Sequence, residues 1–167
     1  MRESNYLEER EDVLRRLRGL PLLRSIDSSY LKEIIHRSKV RIYEPGEMVT
    51  QEGSLEKWIY ILLSGSVSIQ KERKEIAVLT EIGDTFGEMA FIDGKNRSAS
   101  VSAREETVCL VIDASFLMNG DRENHLAFYA IFYQIFAEIL ARRLRETTEE
   151  LARVKADLEA CRSKSRP

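Results

Sequence analysis

The sequence predicts a mainly β domain with flanking helices, an antiparallel jelly-roll barrel, followed by one long C-terminal coiled-coil helix. Three observations carry that expectation. Between Val40 and Ile112, short runs rich in Val, Ile and Tyr are broken by turn-forming Gly and Pro at the spacing of a sandwich or barrel. Before that region, and again after the "NGD" at 119–121, apolar residues recur three and four apart, the spacing of helices. The last helical stretch then keeps an unbroken heptad seam. The expected boundaries are 1–120 for the N-terminal helices and barrel, 121–163 for the helix, and 164–167 for a solvated tail.

Residues 5–37 read as two helices, "YLEEREDVLRRLRGL" and "SSYLKEIIHRS". Pro21 separates them, and Asp27 or Ser28 is the N-cap of the second. The strand region has its turns at "EPGE" (44–47), "EGS" (52–54), "SGS" (64–66) and "DGKN" (93–96). "SVSIQ" (66–70) and "SASVSA" (98–103) alternate, which sends one face to a core. "WIYILL" (58–63) and "VCLVI" (108–112) are continuously apolar, as strands covered on both faces are. Asp121 is the expected cap of the last helix and Glu123 suits its first turn.

The seam of that helix runs through Leu126, Ala130, Tyr133, Ala137, Leu140, Leu144, Thr147, Leu151, Val154, Leu158 and Cys161. It spans about 50 Å at the rise of an α-helix. Phe128, Phe132, Ile135, Phe136 and Ile139 form a second apolar stripe, suited to the helix's own domain. Beyond Leu144 only the seam is apolar, so a lone helix would leave it wet. With Leu144, Leu151 and Leu158 at a, Glu150 and Asp157 fall at g, and Lys155 and Arg162 at e. Parallel chains pair these charges, whereas antiparallel chains oppose acid to acid, so a parallel homodimer is expected. Cys161, at a d position, is a small apolar filler that cross-links in oxidising buffer.

Bulk properties exclude several classes. A net charge of −2 lacks the electrostatic footprint of nucleic-acid binding. No run approaches the ~18 apolar residues of a membrane span, and the charged N-terminus is no signal peptide. Cys109 and Cys161 fit neither a disulfide framework nor a metal pattern, so a reduced, cytoplasmic protein is expected. A cupin-type metal enzyme needs several His on strands, but His36 and His125 both fall in helical segments. No nucleophile has a recognisable base. The chain is read as no enzyme.

One stretch carries chemistry: "FGEMAFIDGKNRSASVSA" (86–103). "EMAFI" reads as a short helical turn whose start suits an anion. Gly87 lets backbone approach closely, and Arg97 offers a planar fork matched to two phosphate oxygens. Glu88 would repel a phosphate and is better suited to accept hydrogen bonds from a sugar hydroxyl. A bland alternative for Arg97 is a surface ion pair with an acid such as Asp93.

The stretch resembles the phosphate-binding cassette of cyclic nucleotide-binding domains, F-G-E-[LI]-A-[LI]-x-x-x-x-P-R-x-A-[TS]-V. Gly87, Glu88, Ala90, Arg97, Ala99, Ser100 and Val101 fall in place without a gap from Phe86 to Val101. Met89 and Asn96 depart from the usual residues. The resemblance covers roughly residues 20–150 and implies that Phe86, Gly87, Glu88, Met89, Ala90, Arg97, Ser98 and Ala99 bind ligand. Glu88 would hold the ribose 2′-hydroxyl, and Arg97, with Ser98 and the Ala99 N–H, the cyclic phosphate. "ARRLRETTEEL" (141–151) is similar to the central helix of the catabolite activator (cyclic-AMP receptor) family. That likeness implies that Thr147 and Thr148 contact the adenine amino group; as a bland alternative they are a polar break that fixes coiled-coil register.

A helix-turn-helix like that family's is not expected after this helix, nor is direct DNA binding. The implied function is a homodimeric sensor of cyclic AMP, or another cyclic nucleotide, with no cofactor, relaying to an unidentified protein partner. The alternative is a coiled-coil assembly module with a vestigial pocket.

Overall fold

The computed structural model describes residues 1–4, 34, 36, 38–115 and 122–164. Nearly all of the stretch read as two N-terminal helices, with Pro21 and its caps, lies outside these residues. Ile34 and His36, which do not, are helical. Asp121 and residues 165–167 also lie outside. Two compact units are present, Met1–Ile131 and Phe132–Pro167.

The first unit is built of two antiparallel sheets. One has the order β1 (Arg2–Ser4), β2 (Ser38–Tyr43), β9 (Thr107–Asp113), β4 (Trp58–Ser64), β7 (Thr85–Phe86). The other runs β3 (Met48–Thr50), β8 (Ser100–Ala103), β5 (Val67–Lys71), β6 (Lys74–Leu79). Tyr43, Tyr60, Leu62, Phe86, Cys109 and Val111 of the first meet Val49, Val67, Leu79, Val101 and Ala103 of the second in one core. That is the expected antiparallel β architecture.

The continuous apolar runs behave as their pattern requires. β4 and β9 pair from Trp58↔Asp113 through Leu62↔Cys109. Tyr60, Leu62, Cys109 and Val111 serve the shared core, while Ile59, Ile61, Leu110 and Ile112 are buried too. Alternation over 66–70 is less clean than expected, because Ser66, just before β5, and Ser68 within it are also buried. Their hydroxyls donate to Glu105 and Glu75, each at 2.6 Å, so those serines are satisfied rather than solvated.

Two features went unread in the sequence. β1 pairs with the edge of β2, its Glu3 accepting from Lys39 at 2.7 Å and Arg41 at 2.8 Å. The β5–β6 hairpin turns on Glu72 and Arg73, both at positive φ (50° and 65°). Neither carries the Gly or Asn that announces such a turn.

Burial sets an alkaline limit on this unit. It pushes Cys109 up to about 12 from an ordinary 9.0, and Tyr60 up to about 12 from 10.0. The unfolded chain therefore releases these protons first as pH rises. Their stabilisation is complete below pH 9 and is lost on the way to 12. We expect stability to fall by about 1–3 kcal/mol per group by roughly pH 11. Urea midpoints at pH 8 and 11 check this; equal midpoints would contradict the buried protonated pair.

The second unit lies on a single helix, α2 (Arg122–Lys164), that begins in the first. Its two stripes differ as the pattern requires. Phe132, Ile135 and Phe136 are buried, and the Phe132 and Phe136 rings lie 5.6 Å apart. Along the seam, Tyr133, Leu144, Leu151, Val154 and Leu158 are exposed, by between 42% and 69%. Lys164, expected at the start of the tail, is still helical.

Candidate functional site

The site begins where β7 ends. Pairing of β7 with β4 sets Phe86 opposite Tyr60, and the two rings stack with centroids 4.9 Å apart. Gly87 then turns the chain at φ 84° and caps α1 (Glu88–Asp93), which Gly94 closes at φ 68°. The expected helical turn is thus present, with Glu88 in its first turn, where a carboxylate complements the helix dipole.

Arg97 returns to this corner after the loop. It is only 4% exposed. Its Nη1 donates to the Gly87 carbonyl at 2.7 Å, and its Nη2 to the Trp58 carbonyl. The guanidinium carbon stands 5.7 Å from the centroid of the Tyr60 ring. Its Nε, fully buried, has no acceptor. Among the described residues Arg97 makes no ion pair. The alternative partner Asp93 is instead near Lys95, at 3.8 Å.

A cation so placed is costly. Burial lowers the Arg97 pKa, while Tyr60, Glu56 and Glu88 act to raise it. Two neutral carbonyls and a ring face offset part of the lost hydration, and Glu56 and Glu88 act on the charge from a distance, but among the described residues no carboxylate forms an ion pair with it. Such a group favours an incoming anion with two acceptor oxygens.

Main-chain bonds hold the loop around it. Arg97 N–H donates to Ser54 O at 2.9 Å, Gly53 N–H to Arg97 O at 2.8 Å, and Asn96 Nδ2 to Gly53 O at 3.0 Å. Asn96, one of the two departures from the cassette pattern, therefore ties this loop to the 52–54 turn.

The residues read from the sequence divide as follows. Glu88 is 2% exposed and close enough to act on the charge of Arg97. Phe86 is buried, Ala90 and Ala99 are half-buried, and Met89 and Ser98 are exposed, with the Ser98 hydroxyl 3.6 Å from the Met89 sulfur. Thr147 and Thr148 belong to the second unit. Both are exposed on α2, and Thr148 Oγ1 donates to the Leu144 carbonyl at 2.6 Å. Trp58, Tyr60, Gly53 and Ser54 were not read as site residues. Three of these act through main-chain atoms, for which a residue pattern has no signal.

Gly87 is required twice over. A Cβ there would sit 2.7 Å from the Trp58 carbonyl and collide with the Arg97 guanidinium, at a φ that side chains rarely adopt. Gly87→Ala should therefore cost about 1–3 kcal/mol of stability and displace Arg97. Thermal unfolding of the unliganded variant tests this, and an unchanged midpoint would refute it.

Residues 40–120 match the family model of the cyclic nucleotide-binding domain. A cGMP-dependent protein kinase of Eimeria tenella is 37% identical over 78 residues, 47% of this chain and 8% of the kinase. The cAMP-dependent protein kinase regulatory subunit of Schizosaccharomyces pombe is 30% identical over 88 residues, 53% of this chain and 21% of the subunit. The chain thus spans a small part of the curated relatives it matches. The Thermus thermophilus catabolite activator protein superposes with a TM-score of 0.63 at 26% identity, covering 81% of this chain and 63% of that one.

Proposed function

Residues 40–120 are a cyclic nucleotide-binding domain, and on that premise we propose that the chain is a non-catalytic, homodimeric sensor of a cyclic nucleotide. One observation carries the reading: a buried arginine, held by two backbone carbonyls and, among the described residues, paired with no carboxylate, at the corner where Gly87 gives access to backbone. A cyclic phosphate supplies the missing anion and replaces these carbonyls at the fork. Glu88 accepts from the ribose 2′-hydroxyl, and the Ser98 hydroxyl and Ala99 N–H complete the phosphate seat. Phe86, Met89 and Ala90 bound the same cassette. Thr147 and Thr148 remain proposed contacts to the base.

Cyclic AMP is the ligand we propose, on the likeness to the catabolite activator; the cGMP-dependent kinase among the relatives makes cyclic GMP the comparison. Binding shifts the dimer between two arrangements, and the helix tails present the result to a protein partner. The exposed seam of α2 supports the dimer, because a lone helix leaves those leucines in water.

A thermal-shift panel of cyclic AMP, cyclic GMP, cyclic di-GMP and ordinary nucleotides tests the reading. Stabilisation by a cyclic mononucleotide is the expected result. A dimer that none of them stabilises is instead an assembly module with a vestigial pocket.

A further inference from the structure

Lys71 ends β5, outside the cassette, yet its Nζ donates to the main-chain carbonyl of Ser98 at 2.9 Å. The ammonium is held there by Glu52, its ion-pair partner. Glu52 is fixed in turn. Its carboxylate accepts the Glu72 N–H at 3.2 Å, and its own N–H donates to Ser100 Oγ at 2.9 Å. The hairpin tip, the 52–54 turn and the start of β8 thus converge on one peptide unit, Ser98–Ala99.

That peptide matters because of what lies at its other end. The unit is planar and trans, so the Ser98 carbonyl and the Ala99 N–H point in opposite directions. A cation that grips the carbonyl fixes the direction of the N–H. It also draws electron density through the amide and makes that N–H a stronger donor. Arg97, one residue earlier, has its own main chain pinned by Gly53 and Ser54. Lys71 removes the remaining freedom of the loop, rotation of the next peptide plane.

We infer that Lys71 is a positioning residue for phosphate: through the Ser98 carbonyl it aims and polarises the Ala99 N–H toward the anion that Arg97 neutralises. This rests on the pocket reading above. No ligand atom touches Lys71; it acts through one peptide bond.

The test uses the full chain with Lys71→Met, which keeps most of the stem but loses the ammonium, and Lys71→Arg, which keeps a charged donor. Cyclic AMP and cyclic GMP are titrated by calorimetry, and the Ala99 amide is followed by 15N–1H NMR. Lys71→Met should weaken binding about tenfold, the worth of one hydrogen bond, with an unliganded thermal midpoint near wild type. Lys71→Arg should recover to within about threefold. The ligand-induced downfield shift of the Ala99 amide should shrink in Lys71→Met and return in Lys71→Arg. If wild type binds but Lys71→Met matches it in affinity or in that shift, the positioning role is wrong while the pocket stands. A loss that Lys71→Arg does not recover, or that appears only with a lowered midpoint, overturns it as well. If wild type binds neither nucleotide, the pocket reading fails and takes this inference with it.

Discussion

Arg97→Ala is expected to lower cyclic-nucleotide affinity by about 30- to 1000-fold, or roughly 2–4 kcal/mol. The magnitude follows from the environment. The guanidinium is buried, has no ion-paired carboxylate among the described residues, and lies over the Tyr60 ring, so a phosphate there is screened far less than at the surface. Alanine removes both the charge and the fork. It also strands the Gly87 and Trp58 carbonyls, so the unliganded variant loses stability as well. Arg97→Lys separates the two effects, since it keeps the charge but gives up the paired donors. An intermediate loss is expected, with the fold intact by circular dichroism. Calorimetric affinity unchanged in Arg97→Ala would remove the phosphate role from this residue.

Leu151→Asp combined with Leu158→Asp is expected to yield monomers at concentrations where the proposed dimer of the wild type sediments as such. Both leucines lie on α2 with about half their surface in water, as do Val154 and, more so, Leu144. A second copy that covers this line gains about 1 kcal/mol or more per side chain. The substitutions would remove that gain and set like charges against each other along the proposed parallel seam. Phe132, Ile135 and Phe136 lie on the other, buried stripe and are untouched. Sedimentation velocity reads the outcome; a surviving dimer would mean that the contact lies elsewhere on the chain.

The candidate site is half legible in the sequence. "FGEMAFI" gave the glycine turn and the short helix, and the structure has both, with Gly87 at the cap and Glu88 in the first turn. Arg97 was legible as a candidate because an arginine among apolar, strand-forming neighbours is out of place unless something pairs with it. What it pairs with was not legible. The sequence offered Asp93, a residue four positions away, but Asp93 faces Lys95. The acceptors are the main-chain carbonyls of Gly87 and of Trp58, the latter 39 positions earlier, and every residue has such a carbonyl.

Strand count and turn positions divide in the same way. Turns that need Gly or Pro announce themselves, whereas Glu72–Arg73 does not, because its positive φ values are imposed by the pairing of β5 with β6. β1 is three residues long, too short to show a period, and it is a strand because the edge of β2 accepts it.

By itself, then, the sequence determined the periods: two for the sheets, three and four for α2, seven for its seam. It also determined the chemical kind of each side chain in the cassette. These are properties of residues and their spacing, and folding carries them through unchanged. The tertiary structure decided which groups meet at the cassette: two backbone carbonyls at the Arg97 guanidinium and the Lys71 ammonium at the Ser98 carbonyl. Main-chain donors and acceptors are identical along the chain, so only the register of strands and turns selects among them.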